Sequence, residues 1–87
     1  MTKDTVTVTD EIGFHARTAS LFAKKAGGFN SDVQVSFNGK TVNGKSMLAI
    51  MTLGVKSNAL VEISADGTDE SIALKALIEL VKNNFNS

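Results

Sequence analysis

Alternating apolar and polar positions mark four stretches of this chain as strands, and helical spacing marks three more as helices. Thr5-Val6-Thr7-Val8-Thr9 has a period of two and is β-branched throughout, which predicts a strand with Val6 and Val8 on the buried face. Asp10-Glu11-Ile12-Gly13 follows as a loop, with Gly13 able to supply a special backbone conformation. Ala16, Ala19, Phe22, Ala23 and Ala26 then fall at helical spacing, with Ser20, Lys24 and Lys25 on the outer face. Gly27-Gly28 ends that helix, and lysines in its last turn suit the macrodipole.

Val33, Val35 and Phe37 alternate with Gln34 and Ser36 as a second strand. Asn38-Gly39 is a two-residue hairpin signal, and 40–43 returns as a third strand. Residues 47–54 read as a short helix with Ser46 as N-cap and Gly54 as stop. It is apolar nearly all round and too short to bury everything, so part of Met47, Leu48 and Met51 is expected at the surface. Residues 60–65 form the fourth strand, with Val61, Ile63 and Ala65 on one face. After the Asp66-Gly67 turn, Thr68 is expected to cap a last helix, with Asp69 and Glu70 in its first turn. That helix carries a polar stripe of Ser71, Lys75, Glu79, Lys82 and Asn83 and reads as otherwise largely buried. The order βαββαβα, with one hairpin fixing an antiparallel pair, predicts an α+β fold: a four-stranded, mainly antiparallel sheet with three helices on one face.

Composition narrows the function. At 87 residues the chain is expected to form one domain, 1–87. Such a chain buries roughly 60–65% of its unfolded surface, which leaves little room for a deep substrate cavity beside the core. Chemistry at the surface is therefore expected. Lys+Arg and Asp+Glu are both 9, and the zero net charge gives no sign of a nucleic-acid or anionic-membrane partner. The absence of Tyr and Trp also argues against an RNA-binding sheet face. No cysteine and a single histidine rule out disulfides and multi-histidine or cysteine metal sites. No cofactor is expected. The N-terminus has no signal-peptide character, and no run nears the ~18 apolar residues of a membrane span. The expectation is a soluble cytoplasmic protein.

The only histidine and the only arginine stand two apart, in Gly13-Phe14-His15-Ala16-Arg17-Thr18. His15 is the expected N-cap of the first helix. Free N–H groups at a helix start attract an anion, phosphate above all. Their partial positive charge disfavours imidazolium, so a neutral, nucleophilic imidazole is expected. Arg17 in the first turn opposes the macrodipole by a few tenths to ~1 kcal/mol, and a locally unfavourable choice of this kind marks a functional site. A guanidinium beside free N–H groups can hold a phosphoryl group. A surface histidine capping a helix, with Arg17 lying along the surface, accounts for the same residues equally well. Ser46 is first of all an N-cap; a phosphate there would also be stabilised by the helix dipole. Met47, Leu48 and Met51 are either core or a docking patch that adapts to several partners, and Lys24, Lys25 and Lys45 either steer by charge or are simply solvated.

Gly13-Phe14-His15-Ala16-Arg17, together with Asn43-Gly44-Lys45-Ser46-Met47 and Leu53-Gly54 at their spacing, resembles HPr, the histidine-containing phosphocarrier family of the bacterial phosphoenolpyruvate-dependent sugar phosphotransferase system. The resemblance covers essentially the whole chain. It implies an open-faced β-sandwich in which His15 is phosphorylated on Nδ1 by phospho-enzyme I and passes the group to sugar-specific IIA domains. It implies that Arg17 and the amides of Ala16, Arg17 and Thr18 hold the phosphoryl group. Ser46 matches the position modified by an HPr kinase/phosphorylase, a change that hinders transfer and promotes binding to a catabolite-control regulator. Phe14, Ser20, Lys24, Met47, Leu48 and Met51 are the implied docking residues, and the implied state is a monomeric stoichiometric carrier, not a turnover enzyme. A purely regulatory relative acting through Ser46 is the alternative, against which the presence of both His15 and Arg17 argues.

The chain departs from the family pattern in places. Thr18 stands where proline is usual, which is expected to leave the helix start less rigid, with transfer surviving at an altered rate. Ile12 stands where a small polar residue is common, and Gly44 and Ala49 also differ from common choices; Ala49 replaces a frequent glycine.

Overall fold

The computed structural model describes residues 1–85. Its elements follow the expected order: β1 (Thr2–Val8), α1 (Ala16–Gly27), β2 (Asp32–Phe37), β3 (Lys40–Asn43), α2 (Met47–Met51), β4 (Ala59–Asp66) and α3 (Glu70–Lys82). The strands form one sheet in the order β1-β4-β2-β3, antiparallel at every pairing. Val6 lies opposite Val61, and Val35 lies opposite both Ile63 and Val42. Because strand side chains alternate between faces, this register puts Val6, Val8, Val33, Val35, Val61 and Ile63 on one buried face. The opposite positions Thr5, Thr7, Leu60 and Gln34 are exposed. Only one face is covered, as expected of an open-faced sheet.

The covering layer is built from the apolar stripes of the helices. α3 packs on β1 and β4, and α1 packs against α2 and α3. Phe22, Ile50, Leu77 and Val81 are fully buried where these elements meet the sheet. At the β2–β3 hairpin Asn38 has φ 52° and Gly39 φ 82°, the left-handed pair that a two-residue turn of matching twist requires.

The structure corrects several expectations. β1 starts at Thr2, ahead of the expected 5–9, and stops at Val8, while β4 runs from Ala59 to Asp66, one residue past 60–65 at each end; pairing with each other supports residues with no strand signal of their own. The expected helix over 47–54 is helical only over Met47–Met51, and Gly54, at φ 68°, turns the chain away. Ala16 is exposed, and the buried positions of α1 are Thr18, Ala19, Phe22 and Ala26. Thr68 does not cap α3; Asp69 occupies the N-cap position and makes no side-chain cap bond. Its carboxylate instead accepts the N–H groups of Asn30 and Ser31, at 2.8 and 2.9 Å, and the Ser31 hydroxyl. Two loop amides and a hydroxyl compete successfully for a carboxylate that the helix start would otherwise use. Ile72 lies on the solvent side of α3 with Lys75 and Glu79 and is 68% exposed.

Candidate functional site

Gly13 determines how the chain enters α1. Its φ is +89°, and a Cβ there would stand 2.2 Å from the Val55 carbonyl oxygen. Only glycine combines that conformation with that approach. The close approach lets the Phe14 N–H donate to the Val55 carbonyl at 3.1 Å. Phe14 then turns inward, edge-on to Phe22 and Phe85 at centroid separations of 5.7 and 5.6 Å. It is 6% exposed. This corrects its expected place among the docking residues: Phe14 is a core residue that anchors the loop.

With Phe14 fixed inward, His15 lies at the surface edge, half-buried, as the N-cap of α1. Its Nδ1 accepts the Arg17 N–H at 3.4 Å, and the Thr18 N–H also points at the ring. Thr18 closes the motif from the other side. Its Oγ1 accepts the His15 N–H at 3.1 Å and donates to the Gly13 carbonyl at 2.8 Å. Thr18 is fully buried. The reciprocal arrangement is a capping box with histidine in the position usually held by serine or threonine. The Thr18 hydroxyl, which a proline there would lack, ties Gly13, His15 and the first turn of α1 together.

The residue that sequence reasoning missed is Asp10. It is buried, and one carboxylate oxygen faces His15 Nε2 at 3.2 Å while the other faces the Arg17 guanidinium at 3.4 Å. The same carboxylate accepts the Ile12 N–H at 3.1 Å. A signal for it was present. Val6, Val8 and Asp10 continue one period of two past the end of β1, so Asp10 follows the buried face inward. Both ring contacts are met together by the neutral tautomer that carries its hydrogen on Nε2, which leaves the Nδ1 lone pair toward the helix amides. Arg17 is 58% exposed in its side chain, so its tie to Asp10 is a weak, solvent-screened pair. An imidazole nitrogen, backbone N–H groups and an exposed guanidinium thus face one patch of solvent, a set able to accept and hold a phosphoryl group.

The other expected residues are arranged as follows. Ser46 caps α2, its Oγ accepting the Ala49 N–H at 3.2 Å. Met47, Leu48 and Met51 are 36, 70 and 38% exposed, so all three stand at the surface of the helix beside α1. Ser20 and Lys24 are exposed on α1. Lys45 donates to the Phe29 carbonyl at 2.9 Å and so has a local partner. Ile12 is 66% exposed, with its backbone and not its side chain engaged in the loop. Gly44 is imposed by packing: a Cβ there would meet Val33 Cγ1 at 2.6 Å. Among the described residues no group of three or more acidic, histidine or cysteine side chains could hold a metal ion, and no helix is long and apolar enough to cross a membrane.

Comparison with known proteins bears on the whole chain. The family profile described as "PTS HPr component phosphorylation site" matches residues 2–83. A crystal structure of HPr from Thermoanaerobacter tengcongensis superposes with a TM-score of 0.95 at 40% identity, covering 100% of this chain and 98% of that one. HPr from Bacillus anthracis gives 0.88 at 36% identity, covering 92% and 95%. Crh, the catabolite repression protein of Bacillus subtilis, gives 0.79 at 37% identity over 100% of both chains, in a structure described as a swapped dimer.

Proposed function

The chain belongs to the HPr family of phosphocarriers of the phosphotransferase system, and from that premise we propose that His15 accepts a phosphoryl group on Nδ1 from phospho-enzyme I and passes it to sugar-specific IIA domains. As a family member the chain is a phosphoryl carrier and not a catalytic enzyme, a cytoplasmic component of that system. The observation that carries the proposal is the direction of the His15 ring: Nε2 toward Asp10, Nδ1 toward the amides that open α1. In the transfer the Nδ1 lone pair attacks phosphorus in line with the departing donor. The N–H groups of Arg17 and Thr18, which now point at Nδ1, become donors to the incoming oxygens. The Arg17 guanidinium can swing from Asp10 to the phosphoryl group, where a dianion offers a stronger partner than one shared carboxylate. Met47, Leu48 and Met51, with Ser20 and Lys24 on α1, form the partner-docking surface in this reading.

Ser46 is proposed as a regulatory phosphosite for an HPr kinase/phosphorylase. A phosphate there would keep the dipole-stabilised position the hydroxyl now holds and would place new charge beside the exposed methionines. The kinship with Crh raises a purely regulatory role through Ser46 and a dimeric state as alternatives to a monomeric carrier. The capping box and the Asp10 contacts are built around His15 and favour the carrier.

The test is incubation with phosphoenolpyruvate and enzyme I. An acid-labile phosphate, lost in His15→Ala, is the expected result; a chain that takes up no phosphate overturns the proposal. ATP with the kinase should give an acid-stable phosphate that Ser46→Ala abolishes.

A further inference from the structure

We propose that Asp10 is a positioning residue for phosphoryl transfer: it fixes the His15 ring through Nε2, keeps Arg17 in reserve, and balances the positive charge that appears on the ring when Nδ1 is phosphorylated. This rests on the reading of His15 as phosphoryl acceptor.

The geometry is specific. Among the described residues Asp10 is one of three buried polar residues, beside Thr18 and Ser31. Its Oδ2 takes the Ile12 N–H at 3.1 Å and faces Nε2 at 3.2 Å. Its Oδ1 faces Arg17 Nη2 at 3.4 Å. A single carboxylate therefore spans the two side chains of the proposed site. Its place is set independently of either. The Gly13 N–H donates to the Asp10 carbonyl at 3.1 Å, and the loop is pinned beyond it by Thr18 and Val55. Glu11 on the same loop, and Lys56, whose backbone closes against Gly13, make no ion pair with the ring or with Asp10 among the described residues.

The charge balance of the reaction shows what such a carboxylate does. In the resting protein the neutral ring carries its hydrogen on Nε2. The Nδ1 electron pair forms the bond to phosphorus, and the bond from phosphorus to the donor breaks with its electron pair leaving on the donor. The proton stays on Nε2, so the phosphorylated ring is cationic. Asp10 is already placed to accept that N–H as a charge-assisted hydrogen bond. On discharge the N–P electron pair returns to Nδ1 and the ring departs as neutral imidazole. Had Nε2 lost its proton, the departing group would be an imidazolate, a far poorer leaving group. Holding the proton on Nε2 thus keeps the phosphoryl group transferable. The logic is that of a buried carboxylate orienting a catalytic imidazole and stabilising its cation without taking the proton.

Asp10→Asn and Asp10→Ala separate the parts of this role. An asparagine whose amide oxygen takes the place of Oδ2 still accepts from Ile12 and from Nε2, but it has no charge and offers Arg17 no acceptor. Alanine removes everything. In protein labelled with 15N-histidine, the unphosphorylated wild type should show the hydrogen on Nε2 with a retarded exchange of that proton. Asp10→Asn should keep the tautomer, and Asp10→Ala should lose the retarded exchange. Phosphoryl uptake from phospho-enzyme I should slow about tenfold in Asp10→Asn, the scale of one charge-assisted hydrogen bond to the ring cation that forms, with its urea midpoint recorded alongside as the folding control. Wild-type uptake rates in Asp10→Asn, or a wild-type ring with its hydrogen on Nδ1, overturn the proposal. A wild type that takes up no acid-labile phosphate defeats the underlying reading of His15 instead, and the tautomer measurement, made before phosphorylation, still decides whether Asp10 orients the ring.

Discussion

Replacing Thr18 by valine isolates the hydroxyl that closes the helix start. Valine matches threonine in shape and β-branching, keeps the N–H that points at His15, and has a similar helix propensity. It deletes two hydrogen bonds: Oγ1 to the Gly13 carbonyl at 2.8 Å, and the His15 N–H to Oγ1 at 3.1 Å. Each is worth about 1 kcal/mol net, and a buried group left facing a methyl costs about 1–3 kcal/mol. Thr18 is 0% exposed, so water cannot replace the lost partner. The added methyl returns up to about 0.8 kcal/mol of apolar burial. The net loss is about 2 kcal/mol. For a domain of this size that lowers the melting temperature by roughly 8–16 °C. In urea the midpoint should fall with no change in slope, since the surface exposed on unfolding is unaltered. A variant within about 0.5 kcal/mol of wild type, inside the range of ordinary surface substitutions, would refute the claim that the hydroxyl clamps the site. Thr18→Pro, the family's usual residue, removes both the hydroxyl and the N–H, and regains about 0.4–1 kcal/mol through a more restricted unfolded chain. It should therefore be destabilised less than Thr18→Val, by about 1 kcal/mol, and should still carry phosphate in the enzyme I assay at a changed rate.

Gly13→Ala should lose roughly 3 kcal/mol or more, because it adds left-handed strain to a collision with the Val55 carbonyl at 2.2 Å; thermal melting within a few degrees of wild type would contradict this. Phe14→Ala should cost about 3–5 kcal/mol as a core truncation, whereas Leu48→Ala, at a 70% exposed position, should stay within about 0.5 kcal/mol; equal urea midpoints would return Phe14 to the surface. The Asp69 carboxyl is held below its ordinary value of 3.8 by the Ser31 hydroxyl and the Asn30 and Ser31 amides. The folded state thus binds fewer protons than the unfolded chain there, so this stability is complete above the unfolded value and is lost as pH falls through the folded one. Ser31→Ala should flatten the acid limb of a stability–pH profile below pH 4 or so, and an unchanged limb would show that Ser31 is not the main cause.

The periodicities were enough for element order and core because each element's signal is local. Val6, Val8, Val61 and Ile63 alternate in sequence and are buried together in space. The extra strand residues Thr2 to Asp4 carry no alternation; they are strand because β4 offers them partners. Asp69 shows the same limit in another form. A capping residue and a loop-binding carboxylate look identical in sequence, and only the approach of Asn30 and Ser31, 39 and 38 positions away, selects between them. At the site, His15 and Arg17 stood out as single occurrences of their types, and the helix start gave them a shared purpose. Phe14 was misassigned because its neighbours are functional, while its own side chain answers to Phe22 and Phe85 across the core. Asp10 had its signal in the period of β1, but its meaning depended on the turn at Gly13 that folds it back onto His15.

That turn explains why a site this small is so firmly placed. Phe22 of α1 touches Phe14 on one side, and on the other it lies 3.3 Å from where a Cβ of Gly44 would stand. The same ring therefore packs against the residue before His15 and against the glycine two positions before Ser46. Gly44 is itself held by its N–H, which donates to the Val33 carbonyl at 2.7 Å and carries the chain from β3 toward α2. The two helix starts are thus referenced to one buried aromatic side chain, and through it to the sheet. A rigid core is what lets His15 remain at the surface and still keep a defined ring orientation. The exposed side chains around it can then adapt to partners without disturbing the geometry that receives the phosphoryl group. In such a small domain, function is kept apart from folding by a single residue at each step: Phe14 faces the core, His15 faces solvent, and Gly13 makes the change of direction possible.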